Sequence, residues 1–300
     1  MAHSHHTGRD LGDRKVLLAV LVNVLLTVAQ VAGGVVAGSL ALIADAIHNL
    51  SDAISLGIAF FARKIARRPA DSVMSFGYGR AELVAALINY TTLIVIGLYL
   101  VYEAIWRFVE PQPVDGWLIV VVAGVALVVD LATAVLTFRL SRQSVNIRAA
   151  FLHKIADALG SVGVIVAGSV IILYQWELID PLITLMIAGY ILRQSFREGK
   201  GVIRTLMLGS PPEPKREDVR ATLMEISAVK DVHHIHLWEI DEQRRSFDAH
   251  VVIGDDDWPE IEGIKCRIRQ CLMDEYMIEH CTIEMERSID QLCTNQKLRP

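Results

Sequence analysis

Two short stretches of this sequence place a histidine and an aspartate four residues apart inside long apolar runs. The first pair is His48 and Asp52, and the second is His153 and Asp157. Residues four apart lie on the same face of a helix, one turn above each other. Ionisable side chains are costly at membrane depth, so their presence there indicates a functional role. Each pair therefore predicts a site on a membrane helix.

Together the two pairs have the composition of a metal site. Two helices side by side would supply two imidazole nitrogens and two carboxylate oxygens, a closed tetrahedral set suited to Zn²⁺. The carboxylates offset the charge of a divalent ion in an apolar environment. Mixed nitrogen and oxygen ligands disfavour Ca²⁺ and Mg²⁺, which prefer oxygen, and Cu⁺ prefers sulfur. We therefore predict a Zn²⁺ site, with Cd²⁺ as the next candidate.

The composition indicates a membrane protein with a soluble part. The chain has 300 residues, 53% of them hydrophobic, and a mean hydropathy of +0.40, which is high for a soluble domain. Six apolar stretches are predicted to cross the bilayer as helices. They cover residues 16–37, 39–62, 81–106, 118–138, 147–173 and 182–195.

Basic residues predict how these helices are oriented. Lys and Arg lie before the first stretch, after the second, after the fourth and after the sixth. Such residues accumulate on the cytoplasmic side of a membrane. We therefore expect a multi-pass protein of the inner membrane with both termini in the cytoplasm.

The carboxyl-terminal third has the pattern of a small soluble domain. A proline-rich linker at 209–214 precedes it. Helical periodicity, two alternating strand patterns, a second helical pattern and a last strand then follow in the order α-β-β-α-β. The predicted organisation is a flexible tail at 1–13, a membrane domain at 14–208, a cytoplasmic domain at 209–288 and a tail at 289–300.

Several classes of function are not expected. The chain has no basic block with interleaved aromatic residues, so we expect no nucleic-acid partner. It shows no nucleophile–base pair and no nucleotide-binding loop, so we do not expect an enzyme. Its four cysteines lie near the carboxyl terminus without a CxxC pair, which is typical of reduced thiols in a cytosolic domain.

Polar and small residues on the apolar stretches indicate faces that pack against protein. Asn23 and Gln30 lie seven apart and so share one face. Asp45 lies one turn before His48 and is interpreted either as a residue behind the metal ligands or as part of an ion pathway. A small-residue face for close helix contact is formed by Gly160, Ser161, Gly163 and Gly168.

Longer motifs accompany the two pairs. They are the segments SLALIADAIH at 39–48, FGYGRAE at 76–82, HHIHLW at 233–238 and EHCTIEME at 279–286. With these motifs the chain resembles, over nearly its whole length, bacterial zinc transporters of the cation diffusion facilitator family. The resemblance implies six transmembrane helices, a ferredoxin-like cytoplasmic domain, a homodimer, and export of metal ions from the cytosol in exchange for protons.

The resemblance also implies a role for the two His-x-x-x-Asp pairs. In the family, ligands on the second and fifth helices form the transport site, and this ligand combination resembles that of the zinc- and cadmium-selective branch. A membrane-bound metal sensor that signals through the cytoplasmic domain is the alternative. Ligands at membrane depth favour a transporter over a sensor. A channel is disfavoured because four protein ligands hold an ion too tightly for fast conduction.

A second metal site is implied in the cytoplasmic domain, where relatives bind zinc at the dimer interface. His236 lies on a strand expected to neighbour the other candidates, but it matches the relatives less well. The alternative is a solvated acidic strand surface. The implied ligands are His233, His250, Glu284 and Glu286.

The loop between the second and third helices departs from the family pattern. Some relatives hold a metal there with an aspartate and two histidines, and the matching positions are Asp71, Met74 and Tyr78. Only the aspartate remains, so we expect no metal site in this loop. Arg80 keeps the basic residue that relatives carry in this loop. In some relatives an acidic residue pairs with it across the dimer, but the matching position in this chain falls near Leu208, so we do not expect that pair here.

Overall fold

A computed structural model describes residues 7–66, 68–141, 145–241 and 243–287. Within these ranges the side chains of 7–20, 52–53, 55–64, 66, 133, 136–141, 145–154 and 156 are outside the description. The chain divides into two compact units. The helical unit comprises Met1–Phe61 with Ala86–Gly199, and the sheet unit comprises Ala62–Ala85 with Lys200–Pro300.

Six long helices occupy the described part of the chain before residue 207, one over each apolar stretch. Each extends beyond its stretch at one end or both, because helix propagation adds one hydrogen bond per residue once a turn has formed. The helices are α1 (Thr7–Ala37), α2 (Leu40–Ala66), α3 (Arg80–Val109), α4 (Gly116–Ser141), α5 (Val145–Tyr174) and α6 (Ile179–Leu206).

Helix α1 begins within the predicted amino-terminal tail. α1 begins at Thr7, so residues 7–13, which we expected in the flexible tail, are helical. This segment has no proline, and it adjoins a long apolar helix that supplies the costly helix nucleus. Residues 1–6 and the predicted tail at 289–300 lie outside the described residues.

Two of the described helices have the length and apolar composition needed to cross a membrane. They are Arg80–Val109 and Asp157–Tyr174. Shorter apolar helical stretches cover Leu21–Ala37, Leu40–Ser51 and Gly116–Ala132.

Small residues bring α4 and α5 into close contact in the helical unit. A Cβ atom on Gly116 would lie 2.7 Å from the carbonyl oxygen of Gly168, and one on Gly168 would lie 3.0 Å from that of Gly116. Each position therefore needs glycine. A Cβ atom on Gly163, in contrast, would have no described atom within 4 Å. The predicted small-residue face is confirmed at Gly168, and at Gly163 the described residues show no close contact.

The sheet unit contains helices and a three-stranded sheet, as the sequence predicts. The elements are α7 (Arg216–Met224), β1 (Val229–Glu239), β2 (Arg245–Ile253), α8 (Ile261–Tyr276) and β3 (His280–Arg287). Strand β2 is central and pairs antiparallel with β1 and parallel with β3. A 3₁₀ helix at Asp255–Glu260 precedes α8.

Helix α8 packs one apolar face on this sheet. Ile264, Ile268 and Leu272 recur every four residues and are buried, so they lie along one side of the helix. They join Phe247 of β2 in a single apolar core. The helix ends at Met277 in the left-handed conformation, with φ 54°. The core covers one face of the sheet and leaves the other face to polar side chains.

Candidate metal sites and family

The contact between α2 and α5 joins two of the predicted ligands. Nε2 of His48 lies 3.1 Å from Oδ1 of Asp157, although the residues are 109 apart in the chain. The His48 side chain is 12% exposed and that of Asp157 is fully buried. Ligand atoms of one tetrahedral zinc ion lie roughly 3.3 Å apart. The two atoms are therefore near the separation that a shared ion requires.

The other two predicted ligands lie on the same two helices, one turn from the first two. Asp52 lies one turn from His48 on α2, and His153 lies one turn from Asp157 on α5. The side chains of Asp52 and His153 are outside the described part of the structure. An aromatic residue of α6, Tyr190, contacts the ring of His48 edge-on, with 5.7 Å between ring centroids.

A buried polar network lies one turn from this contact. The Gln30 amide donates to Oδ2 of Asp45 at 2.7 Å, and the Ser161 hydroxyl donates to the same oxygen at 3.1 Å. The Asn49 amide donates to Oε1 of Gln30 at 3.0 Å. The network connects α1, α2 and α5. The predicted protein-facing side of α1 is confirmed, because Asn23 and Gln30 are both buried.

A second carboxylate holds the start of α2, which the sequence did not predict. Asp180 of α6 accepts hydrogen bonds from the Leu40 and Ala41 N–H groups at 2.9 and 3.3 Å, and from the Ser39 hydroxyl. A carboxylate at a helix amino terminus satisfies unpaired N–H groups and favours the helix dipole. Arg107 lies 3.6 Å from Asp180. Residues so far apart in the chain give no local sequence signal for such a contact.

The open face of the sheet carries the second candidate site. His233 of β1 lies opposite His250 of β2, and Glu284 of β3 lies opposite His250 on its other side. Glu286 lies two residues further along β3, on the same face, because side chains alternate along a strand. Strand register therefore brings together all four residues that the family resemblance implies.

Three of these residues have their ligand atoms close enough for one ion. Candidate atoms of His233, His250 and Glu286 all lie within 4.8 Å of one another. Oε1 of Glu286 is 2.6 Å from Nδ1 of His250, and Oε2 is 3.4 Å from Nε2 of His233. Within the described residues, His233 Nε2 and Glu286 Oε2 are buried without a hydrogen-bond partner. Unsatisfied buried nitrogen and oxygen atoms that face each other fit a Zn²⁺ ion.

Glu284 and the neighbouring histidines lie at the edge of this cluster. Oε2 of Glu284 is 3.4 Å from Nε2 of His250, and its side chain is 68% exposed. His234 adopts a positive φ of 50° at an irregularity in β1. As a result its ring lies against that of His236, with 3.4 Å between the Nε2 atoms. His236 therefore contacts His234, whose ring lies 4.9 Å from that of His250. The irregularity in β1 that causes this arrangement is not visible in the alternation of apolar residues.

The loop before α3 is held by hydrogen bonds to Asp71. Its carboxylate accepts the Val73 and Met74 N–H groups at 2.8 Å each, and the Tyr78 hydroxyl at 2.8 Å. The Met74 N–H, the Tyr78 hydroxyl and the Val73 N–H hold the pKa of Asp71 below its ordinary value. The Arg80 guanidinium that follows donates to the carbonyl oxygen of Ile240 at 2.9 Å.

The cysteines in the described residues are free thiols. They are Cys266, Cys271 and Cys281, while Cys293 lies outside the described residues. Burial, the largest cause, raises the pKa of the Cys271 and Cys281 thiols. A raised pKa keeps a thiol protonated, and only the thiolate binds metal well.

Comparison with known families gives the context of both sites. Residues 16–207 match the cation efflux transmembrane domain, and residues 211–288 match the cytoplasmic domain of cation efflux proteins. The chain belongs to the cation efflux family. Proteins of this family are integral membrane transporters with a cytoplasmic domain. The two matches confirm the family resemblance that the sequence motifs indicate.

Individual cation efflux proteins are similar over almost their whole length. The zinc transporter ZitB of Pectobacterium atrosepticum is 36% identical over 98% of this chain and 92% of its own length. The cadmium, cobalt and zinc/H⁺-K⁺ antiporter of Bacillus velezensis is 34% identical over 100% of this chain and 98% of its own length. The metal-bound C-terminal domain of the CzcD transporter of Cupriavidus metallidurans is 29% identical over 24% of this chain and 97% of that domain, with a TM-score of 0.23.

Proposed function

We propose that this protein is a secondary active transporter that exports Zn²⁺, and Cd²⁺ as a second substrate, from the cytoplasm in exchange for protons. The relatives named above are a zinc transporter and an antiporter of cadmium, cobalt and zinc. These names support transport over the sensor alternative, and a transporter over an enzyme.

The contact between His48 and Asp157 carries this proposal. It joins an imidazole and a carboxylate across two apolar helices, with Asp157 fully buried. Asp52 and His153, one turn away on the same helices, complete the proposed set of four ligands. Two carboxylates neutralise the charge of the ion, so that it can be held where a lone cation would be too costly.

Exchange for protons follows from the chemistry of the ligands. An imidazole and a carboxylate must be deprotonated to bind a metal ion, so zinc and protons compete for the same atoms. In the proposed cycle zinc enters the site from the cytoplasm and displaces protons. The helices then expose the site to the other side, where zinc leaves and protons return. Protons moving inward would thus drive zinc outward.

The proposed function requires a particular arrangement of the chain in the membrane. We propose that all six long helices cross the inner membrane, with both termini in the cytoplasm. Residues 14–208 form the transport domain, 209–288 form a ferredoxin-like cytoplasmic domain through which two copies dimerise, and 1–13 and 289–300 are terminal extensions. The basic residues between the helices support the orientation.

The cytoplasmic cluster is proposed as a resident, regulatory zinc site. His233, His250 and Glu286 would hold the ion, with Glu284 as a further ligand at the edge. When bound, zinc would supply positive charge between strands that otherwise bring two glutamates close together. The unsatisfied atoms of His233 and Glu286 support this assignment.

Zinc flux in proteoliposomes tests the proposed function. Vesicles are loaded with a zinc-sensitive dye, and a pH gradient is imposed in either direction. We expect the gradient to drive zinc towards the acidic side, with a matching proton signal. Asp157→Ala should reduce this flux to the level of empty vesicles, because the site loses a buried ligand.

A matched control removes a carboxylate from the helical unit at a position outside the proposed transport site. Glu110 is exposed at the end of α3, so Glu110→Ala should transport zinc like the unaltered protein. Equal zinc accumulation with and without the gradient, and no proton signal, would refute antiport. Robust flux in folded Asp157→Ala protein would refute the site.

A further inference from the structure

We propose that Asp45, bridged to Ser161 and Gln30, is a positioning residue that sets the distance between α2 and α5 and thereby the size of ion that the transport site prefers. This inference rests on the proposed transport site at His48 and Asp157. It decides between the two interpretations of Asp45 that the sequence leaves open, in favour of a residue behind the ligands.

Polar contacts join α2 and α5 at two levels, one helical turn apart. The first is the ligand contact between His48 and Asp157 at 3.1 Å. The second is the hydrogen bond from Ser161 to Asp45 at 3.1 Å. Asp45 precedes His48 by three residues and Ser161 follows Asp157 by four, so both pairs lie on the same interface. The second contact therefore limits how far the first can open.

The Asp45 carboxylate is itself held from a third helix. Gln30 of α1 donates to it at 2.7 Å and accepts from Asn49 at 3.0 Å. Gln30 and Ser161 are fully buried, and Asp45 is 2% exposed. A buried carboxylate that accepts hydrogen bonds from two donors is held strongly and directionally. These hydrogen bonds therefore fix the position of the Asp45 carboxylate more narrowly than apolar packing alone would.

A glycine on α5 keeps the interface close at this level. A Cβ atom on Gly160 would lie 3.1 Å from Oδ1 of Asp45. That distance is shorter than ordinary van der Waals contact, so an alanine there would push the carboxylate or the helix away. One turn along the same helix, a Cβ atom on Gly163 would have no described atom within 4 Å. Gly163→Ala would thus add the same methyl group to α5 as Gly160→Ala without contacting Asp45.

The separation of the helices bears on which ion fits. Zinc is held at about 2.0–2.2 Å by nitrogen and oxygen ligands, and the larger Cd²⁺ needs longer bonds. Selectivity among divalent ions comes from geometry more than from raw affinity. A tie that keeps His48 and Asp157 close should favour zinc, and loosening the tie should favour cadmium.

Transport kinetics of full-length variants in proteoliposomes test the inference. We expect Gly160→Ala and Ser161→Ala to raise the KM for zinc about tenfold, the lower end of the effect of residues behind metal ligands. The maximal rate should stay within about twofold, and the preference for cadmium over zinc should rise. Gly163→Ala and Ser169→Ala are the controls, since the Ser169 hydroxyl donates to Ile165 of its own helix.

A conservative variant separates positioning from a proton pathway. Asp45→Asn keeps an oxygen that accepts from Ser161 and Gln30, so it should retain most of the zinc affinity that Asp45→Ala loses. If Asp45 carried protons, the asparagine variant would lose proton coupling as fully as the alanine variant, and the inference would be overturned. If Asp45→Ala does not fold, the two glycine variants decide the question.

Two further outcomes would overturn the inference. One is that Gly160→Ala and Ser161→Ala behave like their controls. The other is a fall in maximal rate for zinc and cadmium alike, with KM unchanged, which would show a purely structural role. Either result, with Asp157→Ala inactive, leaves the proposed transport site standing. Flux in Asp157→Ala protein would instead remove the site itself.

Discussion

The helical unit and the sheet unit each bring together histidine and carboxylate side chains, but they fix the distance between them differently. In the sheet unit, His233 and His250 lie opposite each other on hydrogen-bonded strands. Strands in a sheet are held about 4.7–4.9 Å apart by their backbones. In the helical unit, His48 and Asp157 lie on helices whose backbone hydrogen bonds are internal to each helix.

This difference suits the two clusters to different tasks. Moving β1 away from β2 would break a ladder of backbone hydrogen bonds, so the sheet cluster is suited to keeping an ion. Moving α2 away from α5 breaks side-chain contacts, such as those of Asp45 and Asp157, and leaves each helix intact. A transporter must release its ion in each cycle, so of the two clusters we expect the helical one to be the one that opens.

The largest expected effect comes from removing one ligand from each site in turn. Asp157→Ala should abolish zinc flux, while the sheet cluster still binds zinc. His250→Ala should weaken zinc binding to the sheet cluster by more than the roughly 10–100-fold caused by changes behind a ligand, while flux continues. Equilibrium dialysis and proteoliposome flux on both full-length variants measure this. If each variant lost both properties, the two sites would not be separable.

A smaller effect is expected from exchanging the type of ligand in the helical site. His48→Asp replaces a borderline nitrogen with a hard oxygen, so Mn²⁺ and Fe²⁺ should gain relative to Zn²⁺. Competition assays with Zn²⁺, Cd²⁺, Mn²⁺ and Fe²⁺ give the ranking. The corresponding change His250→Asp should alter binding to the sheet cluster and leave the transport ranking unchanged. An unaltered ranking in His48→Asp protein would count against His48 as a ligand.

A third prediction concerns the turn that sets the register of β1 and β2. Burial alone would raise the pKa of Asp241, but hydrogen bonds from the Arg244 side chain and from the Gln243 and Arg244 N–H groups outweigh it and lower the pKa below its ordinary range. A carboxylate with a lowered pKa stabilises the fold above the unfolded pKa of about 3.9, and this stability is lost as pH falls through the lower folded value.

Asp241→Asn should therefore lower the free energy of unfolding of the sheet unit by about 1 kcal/mol at neutral pH. The difference from the unaltered protein should narrow below about pH 4. Urea unfolding monitored by circular dichroism at several pH values measures it. Asp256→Asn, at an exposed position of the 3₁₀ helix, is the control. A constant difference down to about pH 2 would contradict the assigned cause.

The smallest effect is expected at the end of α8. Met277 is 67% exposed and has a φ of 54°, a conformation that glycine adopts without a steric penalty. Met277→Gly should raise the free energy of unfolding by about 0.5 kcal/mol, since relief of strain exceeds the entropy of glycine in the unfolded chain. Zinc affinity of the sheet cluster should not change. Met277→Ala keeps the strain, and an equal gain from it would disprove the explanation.

Much of this protein is determined by local patterns in its sequence. The positions of the six long helices follow from apolar runs, and the α-β-β-α-β order of the sheet unit follows from changes in periodicity. The candidate ligands His48, Asp52, His153 and Asp157 are visible because a His-x-x-x-Asp pair is itself a helical spacing. Each of these features depends on residues that are near one another in the chain, so the sequence alone is enough to find them.

Other features exist only because distant residues pack together. Nothing near Asp45 in the sequence indicates Gln30 or Ser161 as its donors, and nothing near Leu40 indicates that Asp180 caps its helix. The positive φ of His234, at an irregularity of β1, likewise escaped the sequence patterns. Hydrogen bonds between residues 116 or 140 positions apart depend on how helices rotate and pack, which periodicity within a single helix does not encode.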